Sequence, residues 1–209
     1  MAVYTEVADE ELSAFVGRFG IGELRAAKGI AEGVENSNYL IHTSTGFYIL
    51  TLYEKRVSEA DLPFFLGLME HLSAKGIVCP RPVKDARGGA LGRLAGRPAA
   101  IVTFLDGMSV RRPSAAHCRS LGEALARMHE AGTGFAPARE NALSVEGWRP
   151  LLEAATPGAD GVKAGLVRQI EASLAGLERA WPRDLPVGNI HADLFPDNVF
   201  FIGKELSGI

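Results

Sequence analysis

A histidine, an aspartate and an asparagine stand at His191, Asp193 and Asn198, in the order His-x-Asp-x-x-x-x-Asn. That spacing suits transfer of the terminal phosphoryl group of ATP. An aspartate that takes the proton of an attacking hydroxyl must sit beside the magnesium ion that neutralises the phosphates, and a short rigid loop presents both groups from one side. Asp193 is therefore the expected base, and Asn198 offers its amide oxygen to magnesium, a hard cation that prefers oxygen ligands. His191 is expected to hold the loop backbone, and Pro196 to stiffen it. The same three residues also fit an ordinary polar turn before a strand, so the rest of the chain must decide between the two.

The elements that would position this loop follow from periodicity. Leu12, Phe15, Val16 and Phe19 share one face of a helix over Asp9 to Phe19, with Asp9 able to cap it. Apolar runs at 24–30, 39–42 and 47–53 read as three antiparallel strands, the last two joined through Thr43-Ser44-Thr45-Gly46. Between the first two lies Gly33-Val34-Glu35-Asn36-Ser37-Asn38, a turn whose amides and side-chain donors could close over triphosphate oxygens, although a hairpin glycine alone signals only a turn. Leu62, Phe65, Leu66, Met69 and Leu72 define a helix ended by Gly76, with Pro63 confined to its first turn. Turns at Gly88-Gly89 and Ala95-Gly96-Arg97 and the run from Ala99 to Leu105 complete a five-stranded sheet, which ends at Asp106-Gly107.

Beyond that point the pattern is helical. Ser114 caps a helix with Cys118, Leu121, Leu125 and Met128 on one face. Residues 132–147 read as a loop, and Leu166, Ile170, Leu174 and Leu177 as a helix ending at Trp181-Pro182. The run from Val199 to Ile202 reads as a strand after the catalytic loop. The expected fold class is α+β: a two-lobed protein-kinase-like fold, with a nucleotide-binding lobe over 1–103 and a mainly helical, incomplete lobe carrying the catalytic loop over 104–209.

Composition narrows the partners. With 209 residues and 47% hydrophobic content the chain can bury a substantial core. A net charge of -3, from 22 basic and 25 acidic residues, gives no electrostatic footprint for nucleic acid or an anionic membrane. Small-molecule partners are expected. No apolar run approaches the roughly 20 residues that span a bilayer, and Met1 to Glu6 is no signal peptide, so a cytoplasmic location is expected. Cys79 and Cys118 form no metal-binding or disulfide pattern and are expected to be buried.

Five stretches together resemble the aminoglycoside-phosphotransferase-type kinases: residues 33–39, Tyr48-Ile49-Leu50-Thr51-Leu52-Tyr53-Glu54, Leu62-Pro63-Phe64-Phe65-Leu66, residues 121–129 and His191 to Asn198. Within that superfamily they are most similar to the homoserine kinases. The resemblance covers nearly the whole chain and implies ATP and Mg2+ as cofactors and L-homoserine as the acceptor. It implies Asp193 as catalytic base, Asn198 as magnesium ligand, Gly33, Asn36, Ser37 and Asn38 around the phosphates, and the backbone of Val102, Phe104 and Leu105 against the adenine. Another small hydroxylated acceptor (choline, an aminoglycoside or a sugar) and a nucleotide-binding module without catalysis are the competing readings.

Two departures from that pattern matter. Where many relatives place a lysine in the third strand, this chain has Thr51, and Phe65 stands near the position of its glutamate partner; Lys28, Lys55 and Arg56 are the alternative cations. The metal-binding aspartate expected after the next strand is not reached by Leu206-Ser207-Gly208-Ile209, which suggests a truncated chain. Asp184 and Asp197 read as solvated acids rather than substitutes. Arg111, Arg112 and Trp148 lie in the stretch expected to line the acceptor site, with loop packing or solvation as the competing role for each.

Overall fold

The computed structural model describes residues 5–31, 35–54, 57–141 and 143–209. Strands β1 (Leu24–Ile30), β2 (Ser37–Thr43) and β3 (Gly46–Leu52) run antiparallel in sequence order. The β2–β3 turn is only two residues, Ser44 and Thr45, with Thr43 paired to Gly46. β4 (Leu91–Leu94) and β5 (Arg97–Thr103) form a second hairpin around Ala95 and Gly96, and the sheet order is β1-β2-β3-β5-β4. Both turn residues have positive φ (48° and 74°), as a two-residue hairpin matched to the strand twist requires.

Strand alternation divides the sheet into two faces. On one, Ile41, Leu50, Leu52, Ala99 and Ile101 are fully buried against α1 (Asp9–Gly17) through Leu12, Phe15 and Val16. Burying a side chain such as Leu50 or Ile101 contributes about 1.5–3 kcal/mol. Ala8, not Asp9, is the N-cap of α1; Asp9 is instead its first residue, and with Glu10 and Glu11 places negative charge at the positive end of the helix dipole. On the other face, Lys28, Leu40, Ile49 and Val102 occupy one row across β1, β2, β3 and β5, and Ile30, Asn38, Thr51 and Ala100 the next. Leu40, Ile49 and Val102 remain half-buried, an apolar surface without a helix over it in the α1 manner.

A single 3-10 turn, Glu59–Asp61, leads into α2 (Leu62–Ala74), with Pro63 in its first turn. Gly76 (φ 83°) closes α2, with the Ile77 N–H reaching back to the Leu72 carbonyl at 3.1 Å. In α3 (Ala115–Ala131) the Ser114 hydroxyl accepts the His117 N–H while the His117 imidazole accepts the Ser114 N–H, a capping box built with histidine. α2 and α3 pack together through Leu72, Leu121, Leu125 and Met128. Cys118 is exposed on α3, contrary to the expected buried face, because the stripe continues from Leu121 to His117, whose ring packs 4.7 Å from that of Phe201. Cys79 is half-buried, and burial pushes its thiol up to about 11.

α4 (Val145–Val162) and α5 (Leu166–Ala180) follow, and the chain ends in a hairpin of β6 (Phe200–Ile202) and β7 (Glu205–Gly208). α4 corrects the expectation of a loop to Gly147 with nothing regular before Leu166. Pro150 and Pro157 each remove a backbone donor inside it, which costs about 3 kcal/mol in an isolated helix. Packing overrides the propensity: Val145 and Leu152 are buried, and α4 runs along α5 with Arg149 bonded to Glu178 at 2.6 Å. Two compact units result, Met1–Pro137 with Gly188–Ile209, and Ala138–Val187.

Candidate functional site

The loop from His191 to Asn198 is pinned directly after Asp193 and directly after Asn198. Leu194 and the buried Val199 insert into the cluster formed by α2, α3, β6 and β7. Between those two anchors Pro196–Asn198 forms one 3-10 turn, its proline at the start where no donor is needed, and the Asn198 N–H bonds the Phe195 carbonyl at 2.9 Å. Ala192 has φ 62°, a left-handed conformation that costs a side-chain-bearing residue energy. The strain sits one residue before the aspartate.

Asn198 and Asp193 are brought into direct contact. The Asn198 Nδ2 donates to the Asp193 carbonyl at 2.8 Å and to its Oδ2 at 3.1 Å. Both partners are acceptors, so the amide orientation is fixed by chemistry and the Asn198 Oδ1 has no partner among the described residues. An outward amide oxygen beside an aspartate is a donor set that suits magnesium, which takes one or two protein oxygens and completes its shell with phosphate and water. Among the described residues no cluster of three or more His, Cys, Asp or Glu could hold a metal alone. His191 is half-buried and accepts the Asp193 N–H at Nδ1, 3.4 Å away, the backbone-holding role expected for it. Burial pushes its pKa below the ordinary 6.5, opposed by the nearby Asp193 carboxylate.

The segment after β5 meets this loop through the terminal hairpin. Met108 and Phe201 exchange two backbone hydrogen bonds, each 3.0 Å, and the Ser207 hydroxyl donates to the Asp106 carbonyl at 2.6 Å. Gly208 passes so near Leu105 that a Cβ there would lie 2.7 Å from its Cδ1. Val102 is half-buried at the end of the open sheet face, and Phe104 is exposed, 6.1 Å from the Phe47 ring.

Of the other predicted residues, Asn36 lies in the connection between β1 and β2, whereas Ser37 and Asn38, expected in that turn, open β2 and pair with Leu52 and Thr51. Gly33 lies outside the described residues, as do Lys55 and Arg56. The Asn36 Oδ1 accepts the Glu54 N–H at 3.2 Å, and its Nδ2 has no partner among the described residues. Asn38 bonds the Thr51 hydroxyl at 2.8 Å across the strand pair, filling the row where a lysine was sought. Ser37 is fully buried, and its hydroxyl donates to the Glu54 Oε1 at 2.8 Å. Its side chain is therefore structural. Lys28 lies exposed on the open sheet face and has no ion pair among the described residues, whereas Arg93 on the same face is paired with Glu59 at 2.9 Å.

Other candidates are occupied or exposed. Trp148 donates to the Leu143 carbonyl at 2.8 Å and packs edge-on against Trp181, which is a packing role. Arg111, Arg112, Asp184 and Asp197 are exposed. A cavity of about 340 Å³ bounded by Val78, Glu123, Arg127 and Leu206 includes none of the predicted site residues. The sequence assigns no role to Glu54, which stands there only as the acid closing the stretch from Tyr48 to Glu54.

The model of the phosphotransferase enzyme family matches residues 26–209. The homoserine kinase of Methylobacterium nodulans is 63% identical over all 209 residues, which span 65% of its length; that of Parvibaculum lavamentivorans is 61% identical with the same coverage. Among solved structures, spectinomycin phosphotransferase in complex with ADP and spectinomycin superposes with a TM-score of 0.69 over 98% of this chain and 69% of that one, at 15% identity. A putative fructosamine-3-kinase from Thermobifida fusca gives 0.59 over 97% of this chain and 73% of that one, at 20% identity. The fold is thus the aminoglycoside-phosphotransferase-like kinase fold expected from the sequence, with its antiparallel five-stranded sheet.

Proposed function

This chain belongs to the phosphotransferase enzyme family, and from that membership we propose that it is an ATP-dependent kinase of the side-chain hydroxyl of L-homoserine, forming O-phospho-L-homoserine. The observation that carries the acceptor is the 63% identity to a homoserine kinase across the whole chain. The Asp193–Asn198 contact supports the chemistry.

In this reading residues 1–103 form the nucleotide lobe and 104–209 the lobe of the catalytic loop. The acceptor oxygen attacks the γ-phosphorus in line, its proton passes to Asp193, and the bond to the leaving ADP breaks. Asn198 holds Asp193 Oδ2 through its amide nitrogen, so Asp193 Oδ1 is the oxygen presented to the acceptor. Asn198 Oδ1 and the phosphate oxygens would hold Mg2+, which supplies charge neutralisation on the transferring group. Backbone amides over 33–38, with the Asn36 Nδ2, line the phosphates, and Lys28 is the described cation nearest in register to replace the strand lysine. The backbone at Val102, Phe104 and Leu105 meets the adenine, and the half-buried row of Leu40, Ile49 and Val102 offers it an apolar surface. We place the protein in the cytoplasm, where ATP and amino-acid acceptors are at hand; no helix among the described residues is long and apolar enough to cross a membrane.

Magnesium-dependent ADP release measured in parallel with L-homoserine, choline and an aminoglycoside tests the acceptor. Turnover with homoserine alone is expected. An Asp193→Asn variant should lose about 10²- to 10⁴-fold in kcat while keeping its melting temperature and ATP affinity. Turnover with an aminoglycoside and none with homoserine would overturn the acceptor, and near-normal turnover of Asp193→Asn would overturn the role of the base.

A further inference from the structure

We propose that Glu54 is the positioning residue of the nucleotide loop, and that the segment around Thr5 is the third part of the same clamp. The proposal rests on residues 33–38 being the phosphate loop. Thr51, bonded to Asn38, cannot reach across a cleft as a strand lysine would, so something else has to set where the loop lies. Glu54 follows β3 after Tyr53, and its side chain is only 9% exposed.

Its bonds converge from three parts of the chain. Oε1 accepts from the Thr5 hydroxyl at 2.7 Å and the Ser37 hydroxyl at 2.8 Å, Oε2 takes the Arg97 Nε at 3.1 Å, and the Glu54 N–H donates to Asn36 Oδ1 at 3.2 Å. Thr5 closes the ring. Its N–H donates to the Ser37 hydroxyl at 3.0 Å, and its carbonyl accepts the Tyr39 hydroxyl at 2.6 Å. Every residue described from Asn36 to Tyr39 is thereby held by Glu54, Thr5 or Thr51. A core needing only cohesion would be served as well by apolar side chains, because the desolvation of a carboxylate offsets much of its attraction for a guanidinium. What a charged hub adds is direction: it fixes Asn36 and the start of β2 in one register, with the Asn36 Oδ1 engaged by the Glu54 N–H and its Nδ2 the donor available to a phosphate oxygen. Neither Glu54 nor Thr5 touches nucleotide in this arrangement; both act through the loop.

The test compares nucleotides by calorimetry, needing neither acceptor nor turnover. In Glu54→Gln the amide nitrogen faces donors, so binding of MgATP is expected to weaken about tenfold, the equivalent of one charge-assisted hydrogen bond. Adenosine affinity should stay within about twofold, because the adenine end at 102–105 lies outside the clamp. Thr5→Val removes one donor, leaves the carboxylate in place and is the milder variant should Glu54→Gln fold poorly; it should weaken MgATP in the same direction, and the double variant should lose no more than Glu54→Gln alone. Equal weakening of adenosine and MgATP would mean a general loosening and would overturn the proposal, as would unchanged MgATP affinity in both single variants. Absence of MgATP binding in the unaltered protein would instead overturn the nucleotide reading itself, and the clamp with it.

Discussion

Replacing Ala192 by glycine should make the protein more stable and a worse enzyme. The residue has φ 62° one position before Asp193, and its methyl group is exposed, so the change removes no buried surface. A side-chain-bearing residue in the left-handed region costs about 1–2 kcal/mol. Glycine relieves that strain but loses about 0.5–1 kcal/mol more backbone entropy on folding. The difference is a net gain of about 0.5–1 kcal/mol, which for a chain of this size raises the melting temperature by about 1–4 °C. Turnover should move the other way. Glycine admits the right-handed and extended basins at that position, so Asp193 is no longer presented in one place, and an ångström of misplacement can reduce rate by about 10²-fold. Scanning calorimetry and ADP release on the same preparation read both effects. Ala95→Gly, at φ 48° in the β4–β5 turn, is the control for strain away from the loop and should leave turnover unchanged. A lower melting temperature for Ala192→Gly, or a higher one with full turnover, would refute the reasoning that strain there serves to aim the aspartate.

Two further outcomes follow from the titratable groups. His191 has a folded pKa pushed below 6.5 by burial, so the unfolded chain binds the proton more readily; its contribution to stability is complete above pH 6.5 and declines as the pH falls through the folded value. Protonated Nδ1 can no longer accept the Asp193 N–H, so kcat should fall in the same window, and a His191→Gln variant measured by pH-rate profile should lose that limb. Cys118 is exposed while burial pushes Cys79 up to about 11, so a thiol reagent at pH 7.5 should label one cysteine rapidly in the native protein and the second only on unfolding. Rapid labelling of both, read by intact-mass measurement, would contradict that difference in burial.

The parts of the fold that could be read from the chain are those in which local pattern and packing agree. β2 and β3 carry short apolar runs, Tyr39 to Ile41 and Phe47 to Leu50, joined through a two-residue turn, and α5 carries its stripe from Leu166 to Leu177 with no proline in it. α4 was hidden because the local signal contradicts the outcome: Val145, Trp148 and Leu152 hold helical spacing, but two prolines and three glycines lie within the same helix, and only burial against α5 overrides those breakers. Cys118 was misplaced by one step of a helical face, a rotation that sequence spacing alone does not fix. In the site, Asp193, Asn198 and His191 were legible because they depend on one another over eight residues of chain. Glu54 was not, since its partners Thr5, Ser37 and Arg97 lie 49, 17 and 43 positions away and no periodicity links them.

The paired hydrogen bonds between Met108 and Phe201 make the terminal hairpin a gauge block. The stretch proposed for the nucleobase and the loop proposed for the γ-phosphate stand at opposite ends of one bound nucleotide. They are separated in the chain by roughly ninety residues, yet joined in space by Leu105 against Gly208, Asp106 to Ser207 and Met108 to Phe201. The stretch from 138 to 187 can therefore lengthen, shorten or change its helices without altering the span that the triphosphate must fit. The weld itself, and α3, which supplies the cluster beneath the loop, lack that freedom. An insertion in the segment from 138 to 187 should be tolerated far better than a single residue added between Leu105 and Met108, which would shift one end of the ruler against the other.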